Sequence, residues 1–356
     1  MNQALREIQT ASRAKFGEIA PGVEAPLTFG NDADALNAAK TGVALYDRSA
    51  WGRLQLTQAD RLRFLHNQST NEFNSRQPGE ACDTVFLTNT ARTLDLATAY
   101  ITDDALLLLV SPSRRETLLK LLDRYIFPAD KVELSDRTDD TACFTLIGEE
   151  SRSQLQKLGI SDDISPGTHR LVALNTHEIR IAAGSGLALP GYTLICNTDA
   201  AAELWKTLHE SGATPLGETP WNRLRIQQGR PAPDAELTDD YNPLEAGLWH
   251  TISFNKGCYI GQETIARLNT YKGVKQQLWG LHLNSAAEPG TPITQGDTKI
   301  GTLTSIVSTE DGYVGLGYIR TQAGGNGLSV TVGDATADVV DVPFLSRGYL
   351  AELTPS

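Results

Sequence analysis

Eight consecutive residues, Lys256-Gly257-Cys258-Tyr259-Ile260-Gly261-Gln262-Glu263, set a thiol, a cation, two glycines, an amide and a carboxylate side by side. The stretch holds too little apolar material to serve as a core segment, so it reads as a site. A nearby positive charge stabilises a thiolate, which makes Lys256 a candidate for lowering the Cys258 pKa, and Gly257 would let the backbone approach a ligand closely. The competing reading of Cys258 is a small buried hydrophobe, the usual lot of a free cysteine. A helix is expected to begin at Gly261-Gln262-Glu263, with Ile265 and Leu268 on one face. Its backbone donors could face an anionic or carbonyl group, or Glu263 could simply complement the helix dipole. Basic residues collect around the motif against the trend of the chain: Arg223, Arg225, Arg230, Lys256, Arg267, Lys272 and Lys275. They offer either a positive surface for an anionic ligand or a solvated face.

Other chemistries find little support. The six histidines show no HExxH spacing and no Cys-His pattern. Neither a P-loop nor a GxGxxG is present, and Gly184-Ser185-Gly186 and Gly324-Gly325-Asn326-Gly327 read as turns. Cys82, Cys143, Cys196 and Cys258 lie far apart, without close metal-ligand spacing, so no metal site is expected and the compartment is read as reducing. A formal net charge of -12 repels nucleic acid and anionic lipid, so neither is an expected partner. No apolar run reaches the length of about 18 residues that a membrane span needs. The start carries Arg6, Arg13 and Lys15 without an apolar core, which argues for a cytoplasmic protein, with an organellar location left open.

The elements that must position this motif follow from pattern and punctuation. A helix is expected over 32–40 with Asp32 as its cap, then a strand over 43–46. From 53 onward come a strand, a helix through His66, strands over 84–87, 93–100 and 105–110, and a leucine-faced helix ending before Pro128. The same order of elements returns at an offset of roughly 85 to 90 residues: strand 144–147, helix 150–158, strands 171–174, 178–182 and 192–196, and a helix to Glu210. Two related α+β modules of ferredoxin-like character are therefore expected. A helix over 219–228 precedes a long irregular, polar segment, 231–248, of the kind that tends to be functional. Beyond Gly273, β-branched runs at 274–283, 299–307, 313–320, 328–332 and 337–342 predict a small sandwich or barrel of about five to six strands. The expected fold class is α+β, with domains at 1–140, 141–273 and 274–356.

The motif 256–263 resembles the signature of the YgfZ family, folate-binding relatives of the glycine-cleavage aminomethyltransferase that take part in iron-sulfur cluster maintenance. Residues 41–49 resemble the superfamily's early G-V-x-D-x-S region, 64–71 its F-L-Q-x-x-x-T-N helix end, and 242–248 the stretch before the signature. The resemblance implies a three-domain ring of two α+β modules and a C-terminal β-barrel around a folate cleft. Two departures bear on mechanism. The aminomethyltransferases carry a Gly-Gly-x-x-Asp-Asp element whose aspartate assists transfer; here 91–96 keeps one acid, Asp95. Their Leu-Arg-Leu-Glu-x-Gly element matches 224–229, where Gln227 replaces the pterin-holding glutamate. An amide offers one acceptor and one donor group where a carboxylate would accept twice, so pterin affinity or orientation should differ.

The resemblance thus implies a protein that binds tetrahydrofolate or a one-carbon derivative and supports assembly or repair of iron-sulfur proteins, with Cys258 as the redox-active or cluster-handling thiol. The pterin is expected near Asp95, Gln227 and Glu245, the anionic tail towards the basic residues. Arg225, Lys256, Tyr259, Gln262, Glu263 and Arg267 complete the expected folate contacts. The implied partners are folate and iron-sulfur assembly factors or client proteins. A folate-dependent aminomethyl or one-carbon transferase is the alternative, and a scaffold with a vestigial folate cleft the third reading.

Overall fold

The computed structural model describes residues 2–161 and 163–353. The chain forms two compact units, one of residues up to Leu65, Phe73–Asp83 and Ala97–Asn222, the other of His66–Glu72, Thr84–Leu96 and the chain from Arg223 onward.

A five-stranded sheet runs in the order Ala81–Leu87, Thr93–Ile101, Ala105–Val110, Gly52–Thr57, Glu133–Asp136. A six-stranded sheet in the first unit runs His169–Leu174, His177–Ala183, Gly191–Asn197, Thr141–Ile147, Ala44–Asp47, Thr214–Leu216. Reading along the chain, each repeat supplies a strand, a helix, three strands and a helix, and the first four strands occupy the same places in both sheets. The repeat read from the pattern is thus realised in topology. One strand departs from it: Ala44–Asp47 inserts between Thr141–Ile147, to which it is antiparallel, and Thr214–Leu216, to which it is parallel. All four of its residues are buried, so it needs cover on both faces and pairing on both edges, which a central position provides.

The interior of this sheet's cluster includes Leu45, Phe144, Leu146, Ile181, Leu194 and Trp205. The N-terminal helix Gln3–Ala11 contributes Leu5 to it and is capped where the Asn2 carboxamide accepts the Leu5 N–H at 3.2 Å. That helix and the hairpin Lys15–Ala20/Val23–Thr28 carry no reading from the sequence. The first hairpin strand has no buried residue, so it lacks the apolar alternation that marks a half-buried strand.

In the second unit the C-terminal strands close into a barrel, Gln276–Leu283, Gly312–Arg320, Thr298–Thr309, Pro292–Gln295, Ser329–Val332, Ala335–Val340, with the last pairing back to the first. Closure removes sheet edges, and Trp279, Leu281, Ile293, Leu303 and Ile319 pack its core. The strand Pro292–Gln295 is the sixth member; it opens on a proline, which reads as punctuation although proline is tolerated at a strand's first residue. Among the described residues no helix is long and apolar enough to cross a membrane.

Candidate functional site

The motif is anchored by its lysine. Lys256 is buried, and its ammonium donates to the carbonyl oxygens of His66, Ser69 (2.7 Å) and Asn71 (2.6 Å). Its Nζ also lies 4.7 Å from the centre of the Tyr259 ring. Backbone bonds join the same two segments: Ser253 N–H to Thr70 O at 3.0 Å and Ile260 N–H to Asn67 O at 3.3 Å, while the Thr70 hydroxyl donates to Thr251 O at 2.8 Å. Two of the stretches that carry the family resemblance, one around 66–71 and one around 256–263, are thereby stitched together. The expectation that Lys256 serves the Cys258 thiol meets a different arrangement: its hydrogen bonds hold the 66–71 loop.

Cys258 is the one exposed cysteine of the four; Cys143 and Cys196 are buried and Cys82 is half-buried. Burial pushes the Cys196 thiol up to about 12 and raises Cys143 as well, which makes both poor nucleophiles. The bland reading of Cys258 as a buried hydrophobe is therefore not met. Gly257 is also exposed, and a methyl added there would meet only the His66 Nε2, at an ordinary 3.9 Å. The His66 imidazole is buried, and burial together with the Lys256 charge lowers its pKa. Its 3.4 Å contact from Nδ1 to Glu72 is thus a contact of a neutral ring near pH 7.

Gly261 turns the chain into the helix Gln262–Thr270 with φ at 83°, in the left-handed region. A Cβ there would stand 3.1 Å from both Ala91 Cα and Leu87 Cδ1. Gly261→Ala is expected to cost about 1–2 kcal/mol from the backbone conformation alone, measured as a lowered denaturant midpoint. The helix buries Ile265 and half-buries Leu268, as the pattern implies, and leaves Glu263 and Arg267 exposed. Gln262 is half-buried with its amide 3.4 Å from Lys256 O, and burial raises the Tyr259 phenol to about 12.

The expected pterin contacts sit on other elements of the same unit. Asp95 is fully buried in the strand Thr93–Ile101 and accepts the Leu96 N–H at 2.9 Å. Gln227 is half-buried on the last turn of the helix Glu218–Gln228. Glu245 is buried, accepts the Asn242 N–H at 3.2 Å, and has its pKa raised chiefly by burial. Chain neighbours of all three, Leu96, Ile226, Leu244 and Ala246, belong to one hydrophobic cluster.

Arg225 is occupied elsewhere: it pairs with the fully buried Glu236 at 2.7 Å and donates to Ser305 Oγ at 3.0 Å. Arg230 is buried with its guanidinium 5.4 Å from the Phe344 ring centre. Of the basic residues collected from the sequence, Lys272 and Lys275 are exposed, and both line an open cavity of about 810 Å³ that also takes in Glu245. Arg92 and Arg320 line the same cavity. Neither was singled out from the sequence, although Arg92 stands within the stretch compared with Gly-Gly-x-x-Asp-Asp, where an arginine in place of glycine is itself a signal. Glu236 escaped because nothing local marks an acid in the polar segment 231–248 as buried. Tyr241, also from that segment, stacks on Tyr318 with ring centres 3.5 Å apart.

Among the described residues no cluster of three His, Cys, Asp or Glu side chains could hold a metal ion. Chemically, the arrangement can present an exposed thiol on a segment held by the hydrogen bonds of the buried Lys256.

The chain matches the family model described as the GCVT N-terminal domain over residues 5–256. It is 46% identical over 327 residues to a chloroplastic protein of Arabidopsis thaliana named as a transferase, covering 90% of this chain and 76% of the relative. It is 27% identical over 337 residues to an aminomethyltransferase of Rubrobacter xylanophilus, covering 92% of this chain and 89% of the relative. The crystal structure of the glycine cleavage system aminomethyltransferase T from Bartonella henselae superposes with a TM-score of 0.86 at 19% identity, covering 97% of this chain and 98% of that one, which shows a shared fold. The chain belongs to the family of the GCVT N-terminal domain, with the mixed α/β and C-terminal barrel fold of aminomethyltransferase T.

Proposed function

We propose that this protein is a folate-binding member of the family that supports assembly or repair of iron-sulfur proteins, as in the YgfZ branch, with Cys258 as its working thiol. The observation that carries this reading is the exposed Cys258 on a segment held by the buried Lys256. A thiol intended for exchange or for contact with another protein must be accessible and positioned, and this one is both. Asp95, Gln227 and Glu245 would hold the pterin; the burial of Asp95 and Glu245, the half-buried amide of Gln227 and their mixed donor and acceptor character fit an aromatic heterocycle edged with N–H and carbonyl groups. Bound folate would supply a carrier for a one-carbon unit. A single thiolate does not hold an iron-sulfur cluster, which needs several such ligands, so a cluster is cargo shared with an assembly factor or client protein. Four free cysteines suit a reducing compartment, cytoplasmic or organellar.

A folate-dependent one-carbon transferase is the second reading, favoured by the retained Asp95 and by the names of the relatives. The two separate by experiment. Cys258→Ala is expected to abolish support of iron-sulfur enzymes in a complementation assay while leaving tetrahydrofolate binding by calorimetry within about twofold, because an exposed side chain is removed without disturbing a core. Full rescue by the variant would remove the thiol from the function. Steady tetrahydrofolate-dependent product formation that is lost in Asp95→Asn would replace the first reading by the second.

A further inference from the structure

A second cavity, of about 450 Å³, lies wholly within the first unit, where the N-terminal helix Gln3–Ala11 and the hairpin strand Val23–Thr28 form part of its wall. Asp47 lines it. This acid ends the central strand Ala44–Asp47, comes from the stretch 41–49 that carries part of the family resemblance, and has no role in the folate reading. It is only 7% exposed. Its Oδ1 accepts the Ser49 N–H at 2.8 Å and its Oδ2 accepts the Gln9 amide at 2.7 Å. Gln9 is itself fully buried, and its Oε1 has no partner among the described residues, so the fold brings no further donor to that amide.

Charge and wall chemistry narrow the ligand. Three carboxylates line the cavity, Glu24, Asp47 and Asp139, against one guanidinium, Arg115. Arg6 pairs with Glu24 at 3.0 Å, and Arg115 is shared between Asp136 at 2.5 Å and Asp139 at 3.1 Å. Asp47 has no ion pair among the described residues. The field of Arg53 reaches it, but the Arg53 nitrogens donate to the carbonyls of Ser49, Trp51, Thr138 and Thr141, and burial outweighs that field and raises the Asp47 pKa. A buried carboxylate ordinarily meets a cation, and here two of its roughly four lone-pair sites are taken. A metal ion is a poor candidate, since no cluster of three His, Cys, Asp or Glu ligands exists among the described residues. An anion would meet an Arg115 already claimed by two acids. Leu5, Val23, Pro26 and Ala142 supply aliphatic wall, and the volume is that of a small-molecule pocket. We infer that this cavity binds a primary ammonium group carried on a short aliphatic chain, with Asp47 as its counter-ion. The inference stands apart from the folate reading and uses none of Asp95, Gln227, Glu245 or Cys258.

Calorimetric titration of the full chain with n-butylammonium chloride, n-butanol and sodium butyrate, at constant ionic strength, tests it. Butylammonium is expected to bind about tenfold or more tightly than the alcohol or the carboxylate, because only it brings a charged donor to Asp47. L-norvaline, which adds a carboxylate beside the ammonium, separates two sources of the same chemistry: binding as tight as butylammonium marks an amino acid, weaker binding a free amine, and either upholds the site. Asp47→Asn keeps an acceptor for the Ser49 N–H but removes the charge, and is expected to weaken butylammonium about tenfold. Ala50→Leu fills the cavity from a half-buried wall position without touching the carboxylate, and should weaken it by a similar factor even where Asp47→Asn fails to fold. Butylammonium binding that survives either replacement in a folded protein would overturn the inference. So would butyrate binding as tightly as butylammonium, which would mark an anion site at Arg115, or butylammonium binding weaker than about 10 mM.

Discussion

Lys256→Met is expected to destabilise the protein by about 2–4 kcal/mol and to speed alkylation of Cys258, because the buried ammonium bonds three carbonyl oxygens whose stranding costs about 1–3 kcal/mol each, less where water can enter. Methionine keeps much of the length and apolar stem of lysine but cannot donate. The loop 66–71 and the segment carrying Cys258 would lose the charge-assisted part of their join, though the bonds Ser253 to Thr70 and Ile260 to Asn67 remain. The sign of the alkylation change separates two roles. A lysine that pins the loop predicts faster modification in the variant, through local opening; a lysine that acts as the counter-charge of a thiolate predicts slower modification. Measuring the rate across pH under native conditions, together with the unfolding midpoint, checks both parts.

Glu236→Ala is expected to be at least as damaging, at about 3–5 kcal/mol, the range for removing one partner of a buried ion pair. Glu236 is fully enclosed and Arg225 nearly so. The Glu236 carboxylate accepts from Arg225, from the Ala232 N–H at 3.0 Å, from Thr304 Oγ1 at 2.7 Å and from Ser305 Oγ at 2.6 Å, and the Tyr318 hydroxyl donates to its backbone carbonyl at 2.8 Å. One acid thus ties the polar segment 231–248 to the barrel strand Thr298–Thr309 and, through Tyr318, to the strand Gly312–Arg320. Its removal takes the carboxylate acceptor from Arg225, from the Ala232 N–H and from the Ser305 hydroxyl, while the Thr304 hydroxyl keeps Leu316 O at 2.9 Å. The double replacement Arg225→Met with Glu236→Leu should recover much of the loss, since an apolar pair carries no stranded charge. Differential scanning calorimetry of the single and double variants tests this, and a double variant as unstable as Glu236→Ala would count against the account.

These expectations mark where reading by sequence stops. The motif at 256–263, its helix with Ile265 on the inner face, the repeated strand–helix order and five of the six barrel strands are all legible, because each depends on local periodicity, turn residues or a short run of unusual composition. Ala44–Asp47 is legible as a strand and illegible in its placement: pairing with Thr141–Ile147 is a long-range choice that four residues, three of them apolar, do not encode by themselves. The same limit applies to the charged groups. Arg225 and Lys256 look like ligands for an anion when only their neighbours in the chain are known, yet one is paired with Glu236 and the other spends its hydrogen bonds on carbonyls nearly two hundred positions away.

The amino-acid sequence by itself determined the kinds of element, the two-module-and-barrel content and the thiol-bearing motif, since those follow from local propensity and pattern. Tertiary structure alone decided which cations are occupied and which remain exposed at a cavity, and which cysteine faces solvent. The physical reason is that burial and pairing depend on partners remote in the chain: Lys256 is closed off by 66–71, while Lys275 and Arg320 stay open beside Arg92.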